Sequence, residues 1–241
     1  FVQRVRFVRA GFGVLQNYMD MVAQAVTQVN YPAAVQAGER GLAWRDSLTQ
    51  MHPTFTTTRL EQGDPWWTGE VEQYRDLSKL THGPQGRLVQ KLPLEWTFRT
   101  DPHDAGLHQG WGSPNLDLSS WRPLRTDLYM EVQGVAAADG GEYNGCVWYR
   151  TDIEISDAEA GQALHIRFPG LFGKAWLYVD GYLVGHRDWR PMWWHNDYRF
   201  EWDVDLSGTL SPGTHTLALR LHNEHHMGGI WRRPFLYEKR M

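Results

Sequence analysis

The sequence predicts an antiparallel β-sandwich preceded by an α-helical segment, and three observations carry that prediction. The spacing of apolar residues changes near residue 90, from a repeat of three and four to a repeat of two. After that point many short alternating runs are separated by Gly- and Pro-containing turns, with no helical pattern between them. Within these runs, "KAWLYVDGYLVGHR" places Asp180-Gly181 between two alternating stretches, as a tight type I′ hairpin requires.

The first 85 residues read as a helical hairpin plus a short helix. Val5, Val8, Phe12, Leu15, Met19, Val22, Val26 and Val29 form an amphipathic stripe that Gly11 and Gly13 weaken only slightly. Asn30 before Tyr31-Pro32 predicts a cap with proline early in the next helix. Ala34, Ala37, Trp44, Leu48 and Met51 continue a second stripe, and the two segments are expected to pair antiparallel. Pro53 through Trp67 reads as loop. Val71, Tyr74, Leu77 and Leu80 predict a short third helix closed by Gly83-Pro84. A helical segment does not readily join a sandwich core, so two parts are expected, at 1–85 and 90–241. Predicted strands in the second part are 94–99, 146–155, 163–168, 174–179, 182–186, 199–205, 215–222 and 234–238. Leu217, Leu219 and Leu221 line one face after the Ser211-Pro212-Gly213 turn.

Bulk composition narrows the function. Of 241 residues, 41% are hydrophobic and 22% charged, and the formal net charge is −4. No concentrated basic patch points to nucleic acid or an anionic membrane surface, and no apolar run is long enough to span a bilayer. The single cysteine, Cys146, excludes an intrachain disulfide and a Cys-rich zinc site; in an alternating strand it reads as a small buried hydrophobe. No signal-peptide pattern is visible. The chain opens Phe-Val-Gln-Arg inside a helical pattern, which reads as a piece of something longer. The unusual feature is aromatic content, with 13 Trp and 10 Tyr, side chains that fill sandwich cores and also build carbohydrate sites and interfaces.

Particular motifs resemble a known family. In "LEWTFRTDPHDAGLHQGWGSPNLDLSSWRPL" (94–124), Trp96 and Phe98 are followed by Asp101, Gly110-Trp111, and Asp117 with Ser119, Ser120 and Trp121. This resembles the opening of the sugar-binding, galactose-binding-like β-sandwich of glycoside hydrolase family two. "YNGCVWYRTDIEI" (143–155) is similar to the family's next strand, and "LHIRFPGLFGKAWLYVDGYLVGHR" (164–187) to its central hairpin, where Asp180-Gly181 stands in place of the usual Asn-Gly. "FEWDV" (200–204), "LSPGTHTLALRLHN" (210–223) and "GGIWRRPFL" (228–236) match its closing strands in order, over roughly 92–238. The resemblance implies a jelly-roll fold, a role beside a catalytic barrel, carbohydrate as ligand, an optional homo-oligomer and export to a secreted or periplasmic location. Residues 4–21 are similar to the helix closing such a barrel.

The candidate site is "RDWRPMWWHNDY" (187–198), between the central hairpin and the next strand. Trp189, Trp193 and Trp194 can stack on the apolar face of a pyranose, and His195, Asn196 and Asp197 can meet its hydroxyls. The competing reading has these tryptophans plugging the sandwich edge or packing on a neighbouring domain. The resemblance puts the family's catalytic carboxylates in the barrel. The carboxylates of this stretch and its surroundings, Asp188, Asp197, Glu201 and Asp203, occupy strand-end and turn positions, so no catalytic residue is assigned. No cofactor is expected. His222, Glu224, His225 and His226 carry metal-ligating groups without helical HExxH spacing, and a structural calcium ion on oxygen ligands is a separate possibility with no ligand set to pick from sequence. Arg232 and Arg233 beside Trp231 are expected to stack or pair at the sandwich end.

Overall fold

The computed structural model describes residues 1–52, 66–188, 200–225 and 227–240. They divide into two compact units, Phe1–Gly86 and Arg87–Met241.

The first unit is three helices: α1 (Val2–Val22), α2 (Tyr31–Met51) and α3 (Trp66–His82). The Asn30 side chain accepts the Ala33 N–H, and Pro32 lies in the first turn of α2, as the sequence predicts. Helix α3 is longer than the 71–80 apolar pattern predicts: it begins at Trp66, within the stretch read as loop. Helices α1 and α2 run antiparallel, but the 5–19 stripe is not the packing face. Contact is made on the other side of α1, where Gly13 lets the Trp44 ring approach so closely that a Cβ would lie 2.6 Å from it. There too Asn17 accepts from Arg40 Nε at 3.0 Å, and Met21 packs where α2 carries Gly38. Small residues at Ala34, Ala37, Gly38 and Gly41 are buried on α2 and permit this close approach. A π-helical turn at Ala23–Thr27 follows α1. Its extra width rotates the end of the stripe inward, and Val26 and Val29 are buried while Val5 to Met19 are not. Tyr31 and Tyr74 stack at 6.2 Å between α2 and α3.

The second unit is an antiparallel β-sandwich of β1 (Gly86–Lys91), β2 (Glu95–Asp101), β3 (Arg122–Arg125), β4 (Gly145–Ile155), β5 (Leu164–Phe168), β6 (Gly170–Phe172), β7 (Lys174–Val179), β8 (Tyr182–Arg187), β9 (Trp202–Asp205), β10 (Gly213–Asn223), β11 (Gly229–Arg232) and β12 (Phe235–Lys239). One sheet has the order β3-β2-β4-β10-β7-β8, the other β1-β12-β5-β9, and β6 pairs with β11 in a small third sheet. The eight predicted strands are all present; β1, β3, β6 and β11 are additional. Strand β3 contains Pro123, which removes a ladder donor, and it is an edge strand.

Period-two patterning explains the core. Val147, Tyr149, Ile153 and Ile155 of β4 and Leu217, Leu219 and Leu221 of β10 meet Leu164, Ile166, Phe168, Val204 and Leu236 of the facing sheet in one buried cluster. The opposite side of the six-stranded sheet carries a second cluster of Trp111, Trp121, Trp148, Tyr178 and Ala218. The β7–β8 turn has positive φ at both central residues, 49° at Asp180 and 87° at Gly181, which is the predicted type I′ geometry.

Candidate functional site

Trp189, Trp193, Trp194, His195, Asn196 and Asp197 all lie outside the described residues. What the structure gives is the base from which that segment departs and to which it returns. The Arg187 guanidinium, at the end of β8, donates to the Leu171 and Gly173 carbonyls at 2.8 Å each. It also donates to the Glu201 carbonyl at 3.4 Å, while Leu171 N–H donates to the Phe200 carbonyl at 3.0 Å. Both ends of the segment therefore converge on strand β6. Phe200 holds a positive φ of 45°, an uncommon conformation for an aromatic residue.

Around this base lies an aromatic nest. Phe200 meets Phe172 edge-on at 5.5 Å and Trp231 at 6.4 Å. Trp231 stacks on Tyr129 at 5.2 Å with 22° between planes, and the Arg232 guanidinium lies 4.2 Å from its centroid. Tyr129, Phe200 and Trp231 are partly exposed. Such a nest offers flat apolar faces bordered by the Arg232 guanidinium, chemistry that suits a sugar ring and equally a protein contact. Of the two arrangements the sequence allows at Arg232, stacking on Trp231 or pairing with a carboxylate, the stack is present. Tyr129, Phe172 and Phe200 were not singled out in the sequence. Their signal is faint: "GLFG" holds a strand of only three residues, Gly170–Phe172, and Tyr129 falls in a stretch without periodicity.

Arg233 donates from Nε to the Leu92 carbonyl, and burial lowers its pKa from the usual guanidinium value. Glu131 accepts the Gly228 N–H on both oxygens, at 2.9 and 3.0 Å. Burial pushes its carboxyl above the usual range, although the backbone hydrogen bonds pull the other way.

Other candidates resolve into local structure. His226 lies outside the described residues. Glu224 is 2.7 Å from Lys174 Nζ and 3.9 Å from His222 Nδ1, and His225 stands edge-on to Phe172, so these side chains do not converge. No group of three metal-ligating side chains occurs among the described residues. Glu201 and Asp203 form ion pairs with Arg167 on the outward face of the four-stranded sheet. There Asp203 also accepts from Tyr237 and is 2.9 Å from His165 Nδ1.

His215, Asp180 and Ser211 have the composition of a hydrolytic triad but not its geometry. Asp180 Oδ2 is 2.6 Å from His215 Nδ1. His215 Nε2 is 2.8 Å from the Ser211 carbonyl and 3.5 Å from Ser211 Oγ. A ring that donates from Nε2 to a carbonyl has no lone pair there to take a hydroxyl proton. Burial opposes its charged form, yet the Asp180 carboxylate and the Ser211 carbonyl outweigh it and raise the pKa. His215 is a turn clamp.

The residues that carry the family resemblance are likewise structural. Buried Asp101 accepts from Ala105 N–H at 2.8 Å, Gly106 N–H at 2.9 Å and Trp148 Nε1 at 3.1 Å. Trp111 meets Trp121 at 5.2 Å and Trp148 at 6.2 Å, both edge-on. Asp117 accepts the Ser119 N–H and hydroxyl, which hold its carboxyl below the usual range.

Fold and motifs together define the class: a β-sandwich resembling those of glycoside hydrolase family two, preceded by a helical unit. The particular likeness is to β-glucuronidases. No protein-family profile matches the chain. A protein of Formosa agariphila named "Putative beta-glucuronidase" is 29% identical over 116 residues, 45% of this chain and 10% of that protein. The crystal structure of Ruminococcus gnavus β-glucuronidase superposes with a TM-score of 0.54 at 13% identity, covering 66% of this chain and 30% of that one. The same enzyme in complex with D-glucuronic acid gives the same values, and at these identities the likeness is one of fold. The chain thus spans about a tenth of the curated relative and under a third of the solved enzyme.

Proposed function

We propose that this chain serves as an accessory, carbohydrate-associated region of a larger glycoside hydrolase, framing a glycan beside a catalytic barrel. The observation that carries the reading is the partly exposed Tyr129–Trp231–Phe200 nest at the base of the Trp-rich 189–199 segment. Stacked aromatic rings beside Arg187 and Arg232 suit a ring with an apolar face and polar edges. The β-glucuronidase relatives supply the substrate class: a glycan, with a uronic acid as the first ligand to try. Catalysis is assigned to the barrel, so the chain's part is to hold and orient. Export to a secreted or periplasmic location belongs to the same reading.

The test is intrinsic tryptophan fluorescence of the whole chain titrated with D-glucuronic acid, galactose and oligosaccharides bearing either. A saturable shift is expected, at least tenfold weaker in Trp193→Ala and in Trp231→Ala, with the far-UV circular dichroism retained. A flat response to the whole panel would sink glycan binding by this chain. It would favour the competing class, a module whose aromatic surface makes domain or subunit contacts.

A further inference from the structure

Resting on the glycan reading of the nest, we infer that Glu131 and Gln133 are positioning residues, which hold Tyr129 and Trp231 in their stack from one short turn. The two rings come from segments far apart in the chain. Their 5.2 Å spacing must therefore be fixed by something that reaches both segments. What reaches both is a 3₁₀ turn, Glu131–Gln133, that follows Tyr129 closely. Gly134 ends the turn in the left-handed region, at φ 79°, and Val135 after it is buried. The turn is thus anchored in the sandwich, while Val132, between its two polar residues, is 66% exposed.

Gln133 holds the Tyr129 side. Its amide nitrogen lies 2.9 Å from the Leu128 carbonyl, 3.0 Å from that of Arg125 and 3.3 Å from that of Tyr129. Its oxygen accepts the Arg125 N–H at 2.8 Å, so one side chain fixes the main chain from Arg125 to Tyr129. Glu131 holds the Trp231 side. Both its oxygens accept the Gly228 N–H, and the Gly228 carbonyl accepts the Met130 N–H at 3.2 Å. A Cβ at Gly228 would lie 2.7 Å from Asn223 Nδ2 and 2.9 Å from Met130 Cε, so the backbone meets the turn at a distance only glycine allows. From Gly228 the chain enters β11, where Ile230 belongs to the core and Trp231 follows on the other side. The two clamps work in opposite senses. Glu131 accepts hydrogen bonds, whereas Gln133 holds the carbonyls by donating. An amide can stand in for an accepting carboxylate, but a carboxylate cannot stand in for a donating amide.

The experiment uses the whole chain labelled with fluorotryptophan, the Trp231 fluorine signal being assigned by its absence from Trp231→Phe. D-glucuronic acid is then titrated against each unlabelled variant by tryptophan fluorescence. Glu131→Gln is expected to leave the Trp231 signal in place and the affinity within about twofold of the unaltered chain. Gln133→Glu, equally isosteric, should move the signal and weaken the sugar about tenfold, with the circular dichroism retained. Glu131→Ala should do the same, and Val132→Ala, in the same turn, should do neither. A Trp231 signal unmoved by both Gln133→Glu and Glu131→Ala would overturn the inference, since the turn would not set the stack. A moved signal with unchanged affinity would overturn it as well, leaving the turn a local closure. Absence of sugar binding by the unaltered chain is a separate failure. It sinks the glycan reading, while the fluorine spectra still decide whether the turn holds the ring pair.

Discussion

Asp101 shows how one side chain can organise a long connection. Its carboxylate gathers two backbone N–H groups and an indole N–H at the start of the 102–121 excursion. Asp101→Ala leaves two buried donors and one half-buried donor without their acceptor and should cost about 3 kcal/mol in urea denaturation. Trp148 fluorescence offers a local readout of the same loss. His215 makes a pH-dependent contribution whose sign is fixed by its raised pKa. The folded state binds the proton more tightly than the unfolded chain, so the stabilisation is complete below about pH 6.5. It disappears as pH rises through the folded-state value. Urea midpoints measured across that window should fall with pH, and in Asp180→Asn the fall should be shallower. Asp180 was legible in the sequence as a turn residue. Its second task, clamping His215 and the Thr216 N–H, was not, because it depends on β10 arriving beside a hairpin 35 residues earlier in the chain.

At the scale of elements, local chemistry was legible wherever it alone determines structure. The I′ turn needs two residues at positive φ, and Asp-Gly supplies them. Gly181→Ala should cost about 1–2 kcal/mol, because the left-handed region penalises a Cβ even where its nearest neighbour is an ordinary 3.7 Å away. A Tm shift of several degrees checks this. Leu219, fully buried in the centre of β10, is a packing position, and Leu219→Ala should cost about 2–5 kcal/mol by the same assay. Periodicity found β4 and β10 because they are long and alternate cleanly. It did not find β6 and β11, three and four residues long and bounded by glycine, which exist through pairing with each other. For α1 the period gave a correct apolar stripe, but a period cannot say what the stripe faces. Gly13, which reads as a slight weakness of the stripe, admits Trp44 on the other side, as Gly38 of α2 admits Met21.

For the molecule as a whole, the sandwich core is drawn from residues 92–236. A chain beginning at Arg87 should therefore keep the near-UV circular dichroism of its buried tryptophans and unfold in one cooperative step; a molten spectrum would show that the helical unit is required. The overall architecture was readable because many short strands, glycine turns and an ordered set of motifs agree. The candidate site was only half readable. The sequence picks out 187–198 by its crowding of tryptophan, yet the nest around Phe200 comes from Tyr129, Phe172 and Trp231, scattered over 100 residues and united by the fold.

Arg187 ties both ends of the 189–199 segment to one strand. For variation, this makes the segment a cassette. Because its ends already meet, changing its length alters closure entropy by only about 0.6 kcal/mol per doubling, and no core residue has to move. A lineage, or a designer, can rewrite the segment while the sandwich stays the same. Sequence divergence should then concentrate between Arg187 and Phe200, with the residues of the clamp changing last.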